Sequence, residues 1–357
     1  KNTNIFGANA PQSVTTTMGI YAGGTTVSTS GTGADNDNLT IQNNHIRRAT
    51  YGIFARGVAS TGLLDNLLIT GNTIGSDIET DYIFYIGTDV QNAVAPIITR
   101  NYIFNIKRNT NSINIAGIEV GQNCANAQIT RNRIHSLQQA YTGGYGAFGI
   151  NVSSATGNSN FLIANNVITD LTASNNGGAT STTYNPFGIR ITGGTGHKVY
   201  FNSVNLYGNQ VATGSIATFS AAFVVTATTV TGLDIRDNVF SNSLVGLAGS
   251  NCYAICIVGS AASFTNIDNN DYFVSGPYGV LGHLGTSIST TNNKTTLAAW
   301  QTATTKDFES KAEDPLYTAN NNLLPSSIAS PLVISGVSLP EVTVDILGNA
   351  RGPVPTI

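Results

Sequence analysis

The chain has 357 residues, a formal net charge of −3 and charged side chains at only a tenth of its positions. Such a composition excludes a basic footprint for nucleic acid and a polybasic membrane anchor, and no apolar run is long enough to insert in a membrane. The three cysteines are an odd number without zinc-ligand spacing, so they read as unpaired thiols; a turn-assisted Cys252 to Cys256 bridge or a bridge to another molecule are the alternatives.

Residues 1–18 come first and carry Ile5, Phe6, Pro11 and Val14 among polar neighbours, with no amphipathic helix. From Gly19 to Gly285 the chain repeats itself. An asparagine returns at Asn44, Asn72, Asn101, Asn132, Asn166, Asn202, Asn238 and Asn270; three residues before each stands Ile or Val, and two after it a large apolar residue. Strings such as Ile118-Glu119-Val120 and Ile150-Asn151-Val152 are interleaved with this series. Fixed-period similarity marks a solenoid whose units bury their apolar edges on their neighbours. Short strands without a 3.6-residue period make it an all-β one: a parallel β-helix of about nine coils, roughly 43 Å long at the ~4.8 Å strand spacing. The near-universal right-handed crossover makes it right-handed. The eight asparagines are read as a structural ladder, each in a tight turn that favours left-handed backbone and each donating its amide to the next coil.

With these motifs the chain resembles the right-handed parallel β-helix, or pectate-lyase-like, superfamily over nearly its whole length. The resemblance implies three strands per coil: first the Gly-Ile-x-Val strings, second strings such as Leu67 to Ile69, and third the residues after the ladder asparagine. The closing segment, Asp314-Pro315-Leu316, Ser330-Pro331-Leu332 and Asp345-x-x-Gly348-x-x-Arg351, is similar to that of secreted β-helix proteins of Bacteroidetes-like bacteria. It implies a secreted or cell-surface protein. Since no signal peptide stands at Lys1-Asn2-Thr3-Asn4, the chain then reads as a mature product or an excised segment.

In enzymes of this superfamily the substrate groove follows the outer face of the first strand. The resemblance places Phe54, Tyr85, Glu119, Asn151, Arg190, Val224, Cys256 and Leu281 there. Glu119 and Arg190 become the catalytic candidates, with Phe54, Tyr85, Asn151 and the loop residues Tyr145 and Tyr184 as carbohydrate-binding ones. Hydrolysis requires a carboxylate pair, and Glu119 is the single carboxylate this reading places on the face; the polygalacturonase-like strings are missing as well. A solvated or Arg190-paired Glu119 is the non-catalytic reading.

Asp77-x-Glu79-x-Asp81 would put three carboxylates on one side of an extended strand, a weak Ca²⁺ candidate; no other cofactor is expected, and the four histidines show no metal-ligand spacing. Residues 286–357 read as a C-terminal cap, with a short helix carrying Trp300. The N-terminal segment offers no equivalent, and an open strand edge invites pairing. Ile5 and Phe6, together with the apolar Val224 and Leu281, are therefore interface candidates for a second copy or an upstream domain. The expected function is a secreted structural or adhesive β-helix, a surface or filament subunit assembling head-to-tail. The alternative is a polysaccharide lyase or glycoside hydrolase working in the first-strand groove, with a glycan as ligand.

Overall fold

The computed structural model describes residues 1–8, 16–110, 113–154, 157–174, 178–210, 217–333 and 335–357; Pro11, Val14 and Ile334 lie outside them. The chain winds as an all-β parallel solenoid of about eight turns around three strand columns. The first column runs from Met18–Ala22 to Gly279–Gly285, the second from Thr40–Gln42 to Phe264–Asp268, and the third from Asn4–Phe6 to Asp271–Val274. Pairing along each column is parallel. Gly279–Gly285 leads into the cap rather than into another second-column strand, which is why full turns number about eight rather than nine.

Most coils point an aliphatic side chain inward from each column. In a central coil these are Ile118, Ile129 and Ile134, all essentially inaccessible. Burying each such side chain stabilises the fold by about 1.5–3 kcal/mol. Glycines 52, 87, 117, 149 and 188 stand in register within the first-column strands. A Cβ on Gly117 would lie 2.6 Å from Ile134 Cγ2 and 2.7 Å from the Gly149 carbonyl oxygen, so close approach of coils, not a special φ, requires glycine.

The asparagine ladder is present and fully satisfied. Asn132 donates its amide nitrogen to Asn166 Oδ1 (3.0 Å) and to the Ile98 carbonyl (2.9 Å), while its own Oδ1 accepts from the backbone and side-chain nitrogens of Asn101 (3.0 Å each). The pattern extends past the asparagines: Thr3 N–H donates to Asn44 Oδ1 (3.3 Å), and Asn270 N–H donates to Ser310 Oγ (2.7 Å). One part of the sequence reading is corrected. The left-handed residue is not the ladder asparagine but the one before it: Asn43, Gly71, Arg100, Arg131, Asn165, Phe201, Asp237 and Asn269, with φ of 53–64°. The ladder asparagine is selected by its two-donor, one-carbonyl amide, and the fold tolerates even Phe and Arg in left-handed backbone beside it.

The C-terminal end is closed. Asn293–Lys294 pairs antiparallel with the last first-column strand, and the helix Leu297–Thr304, N-capped by Thr296, seats Trp300 on the core. Asp307 Oδ2 accepts from Trp300 Nε1 and from the Tyr272 hydroxyl (2.6 Å each), and its Oδ1 accepts from the Ser310 hydroxyl. From there the tail doubles back across the solenoid. Val337 N–H donates to Asp237 Oδ1 (2.8 Å), Glu341 pairs with Lys198, Asn165 donates to the Val344 carbonyl (2.8 Å) and Arg131 to that of Ile346 (3.2 Å). Arg351 Cζ sits 3.6 Å over the Phe201 ring, and its Nη2 donates to Asn165 Oδ1 (2.7 Å). At the other end, Asn4–Phe6, Met18–Ala22 and Thr40–Gln42 each pair on one side only among the described residues, and Ile5, Ile20 and Leu39 remain half-buried.

Candidate functional site

Strand register assembles a first-column outer row that differs from the expected one: Tyr21, Phe54, Asp89, Glu119, Asn151, Arg190, Val224, Cys256 and His283. Phe54, Glu119, Asn151 and Arg190 fall in line as expected. Tyr85 does not: an extra residue bulges the strand Ile83–Gln91 between Ile83 and Ile86, so Asp89 takes its place beside Glu119. Sequence reading missed this because Phe84-Tyr85-Ile86 imitates the repeat, whereas the true inward residue of that coil is Thr88, a buried hydroxyl. Leu281 is likewise displaced; it turns into the core, and His283 holds the outer position.

Two carboxylates therefore stand on adjacent coils where one was expected. Asp89 is buried and accepts from Gln91 Nε2 (3.1 and 3.2 Å). Burial first, and then the neighbouring Glu119, push its pKa up to about 8, against the pull of Gln91 and Arg56. Glu119, partly buried, accepts from Asn151 Nδ2 and Ser153 Oγ (2.9 Å each). Burial raises its pKa too, opposed by these two donors and by Arg190. Glu119 and Arg190 do not touch directly. Asn151 stands between them and accepts from Arg190 Nη1 (2.9 Å) while donating to Glu119. Arg190 also donates to the Thr182 carbonyl (2.9 Å) and lies 4.9 Å from the Phe148 ring centroid; burial lowers its pKa to about 10. Tyr51 and Tyr85, edge-to-face at 4.9 Å, complete the surroundings, and burial and then Glu119 raise Tyr85 to about 12. Chemically, this is a buried carboxyl group pushed toward its protonated form beside a second one that accepts from two donors.

The rest of the face is filled by the chain itself. Phe54 is fully buried between Tyr21 (5.9 Å) and Tyr51 (5.6 Å), so it offers no open ring for a sugar. Val224 and Cys256 join a buried outer cluster with Phe187, Phe219 and Tyr253, so they form no exposed apolar stripe, and the tail crosses the opposite side of the coil. Tyr145 and Tyr184 meet edge-to-face at 4.7 Å in the flanking loops.

Asp77, Glu79 and Asp81 do not converge. Residues 79–81 form a 3-10 turn instead of a strand, Asp81 is bound by Arg48 (2.7 Å), and among the described residues no group of three His, Cys, Asp or Glu side chains can hold a metal. The three cysteines are free and buried. Among the described residues no helix is long and apolar enough to cross a membrane. Compared with models of protein families and with curated proteins, the chain matches none.

Proposed function

We propose that the chain is a structural or adhesive β-solenoid of secreted type, a rigid unit that presents its outer surfaces and associates through its N-terminal edge. The observation that carries this reading is the packed first-column face: where a glycan-cleaving β-helix keeps its groove, Phe54, Asp89, Asn151, Val224, Cys256 and His283 are each less than 5% exposed. Kinship with the right-handed pectate-lyase-like β-helices is supported by the three-strand coil and the ladder. Likeness to the secreted proteins of Bacteroidetes-like bacteria is supported by the closing turn, where Asp345 Oδ1 accepts from the amides of residues 347, 348 and 349 (2.7–2.8 Å), Gly348 takes φ 97° and Arg351 reaches Asn165.

The capped C-terminal end directs association to the open N-terminal edge, where a second copy or an upstream coil would continue the one-sided strands. Sedimentation and negative-stain microscopy over a wide concentration range, with and without residues 1–8, test this. Association that disappears with those residues is the expected outcome; a monomer at every concentration that also fails to bind any surface or glycan sinks the reading.

One observation favours the alternative of a polysaccharide-cleaving enzyme, namely the Asp89–Glu119 pair in register on adjacent coils, since glycoside cleavage uses two carboxyl groups. A screen of acidic and neutral polysaccharides decides it. Turnover by the unmodified protein that is abolished in both Asp89→Asn and Glu119→Gln would replace the structural reading.

A further inference from the structure

On the outer face of the third column, two recesses share a wall. One, of about 190 Å³, is lined by Tyr102, Arg133, His135, Thr169 and Asn321. The other, of about 400 Å³, lies between the third column and the tail and also contains Arg133 and Val167. The hairpin formed by Tyr317–Ala319 and Asn322–Pro325 stands over both, moored by the Asn320 carbonyl, which accepts from Asn205 (2.9 Å). Together they reach the size range of small-molecule sites, about 300–1,000 Å³.

We infer that this cleft binds a small carboxylate-bearing saccharide, its anionic group on Arg133 and its ring on Tyr102. Arg133 lies at the junction, exposed, with no hydrogen-bond or ion-pair partner among the described residues. Its neighbours are engaged: Arg131 donates to Ile346, and Arg351 donates to Asn165 and to the Thr356 carbonyl (2.8 Å). Asp345, the carboxylate lining the larger recess, is bound to its own turn. An unengaged guanidinium can grip a carboxylate with two parallel bonds.

The sugar ring is assigned from the aromatic patch. Tyr102, 40% exposed, packs at 4.8 Å on Phe104 and at 5.2 Å on His135, and Phe104 stacks on His135 at 5.5 Å. The Tyr102 hydroxyl is aimed by a chain of bonds. Ser136 Oγ–H donates to Asp170 Oδ2 (2.7 Å), so His135 Nδ1 must be the donor to Ser136 Oγ (3.0 Å), and Nε2 is left to accept from Tyr102 O–H (2.7 Å). The histidine is neutral in this arrangement, and the phenol oxygen keeps its lone pairs for a sugar hydroxyl.

Isothermal titration with sodium D-glucuronate tests the assignment, with glucose and acetate as controls for ring and carboxylate alone. The expected result is saturable binding at least about tenfold tighter than either control, weakened about tenfold in Arg133→Gln and in Tyr102→Ala, and unchanged in Arg100→Gln, whose guanidinium lies outside the cleft. Arg133→Lys, which keeps the charge without the planar fork, is expected to fall between. Equal affinity in Arg133→Gln and the unmodified protein, equal affinity for glucuronate and glucose, or no saturation by about 50 mM ligand would each overturn it. The result is independent of any activity at the first-column face.

Discussion

Asp89 and Glu119 stand side by side across a single rung of the first column, in direct register. Among the described residues neither carboxylate has a cation of its own in contact; Glu119 reaches Arg190 through the amide of Asn151. Like charges so placed cannot both ionise without strain, and burial leaves Asp89 as the one that keeps its proton.

A raised folded-state pKa at Asp89 favours folding fully below the unfolded carboxylate value near 3.9 and loses that contribution as pH climbs toward about 8. The unmodified protein should therefore lose stability relative to Asp89→Asn across this window, approaching about 1.4 kcal/mol per pH unit. Denaturant titrations of the two proteins at pH 5, 6.5 and 8 check this. A difference that does not grow with pH would mean the carboxyl is ionised in the fold.

Removing a mid-ladder amide leaves unmatched groups on both sides. Asn132→Ala deprives the Ile98 carbonyl and Asn166 Oδ1 of a donor, leaves the Asn101 backbone N–H without its acceptor and leaves Asn101 Nδ2 with the Ile69 carbonyl alone. It should destabilise by about 1–3 kcal/mol, with Asn166→Ala similar, read from urea midpoints.

Gly117→Ala introduces a methyl 2.6 Å from Ile134 Cγ2 and should destabilise by about 1–3 kcal/mol through overpacking. Gly157→Ala is the matched control, since a Cβ there meets nothing within 4 Å among the described residues, and its melting temperature should stay unchanged.

Asp307→Ala removes the acceptor shared by Trp300, Tyr272 and Ser310. Each buried donor left unpaired costs about 1–3 kcal/mol, so the last coil should open before the rest. Hydrogen exchange accelerated at Asp271–Val274 but not at Arg133–Gln139, together with a red-shifted Trp300 emission, is the expected pattern.

The fold was legible because its signal repeats. An amide with both donor and acceptor character and the aliphatics around it recur in every coil, and the periodicity averages out local exceptions. The site was legible only in part because its decisive member sits at an exception. Asp89 lies in a coil where a bulge shifts the first-column strand and where Thr88 replaces the inward aliphatic, so pattern matching slid to Tyr85. Leu281 misled in the same way at the last coil, where no further repeat constrains the register. The Asp77–Asp81 run failed for a different reason, since alternation on one face presupposes a strand and the chain makes a 3-10 turn held by Arg48. The cleft around Arg133 depends on where a tail more than 180 residues downstream lies down, and no local spacing announces that.

Taken alone, the coils are interchangeable parts: excising one whole repeat would bring Asn132 against Asn202 and leave a ladder of the same kind, one rung shorter. The tail removes that freedom. Residues 337, 341, 344 and 346 reach Asp237, Lys198, Asn165 and Arg131, one anchorage per coil over four successive coils. The returning segment thus works as a ruler laid along a column of identical marks, giving each coil an address. A solenoid shortened by one turn would still wind, but its tail would arrive at the wrong mark.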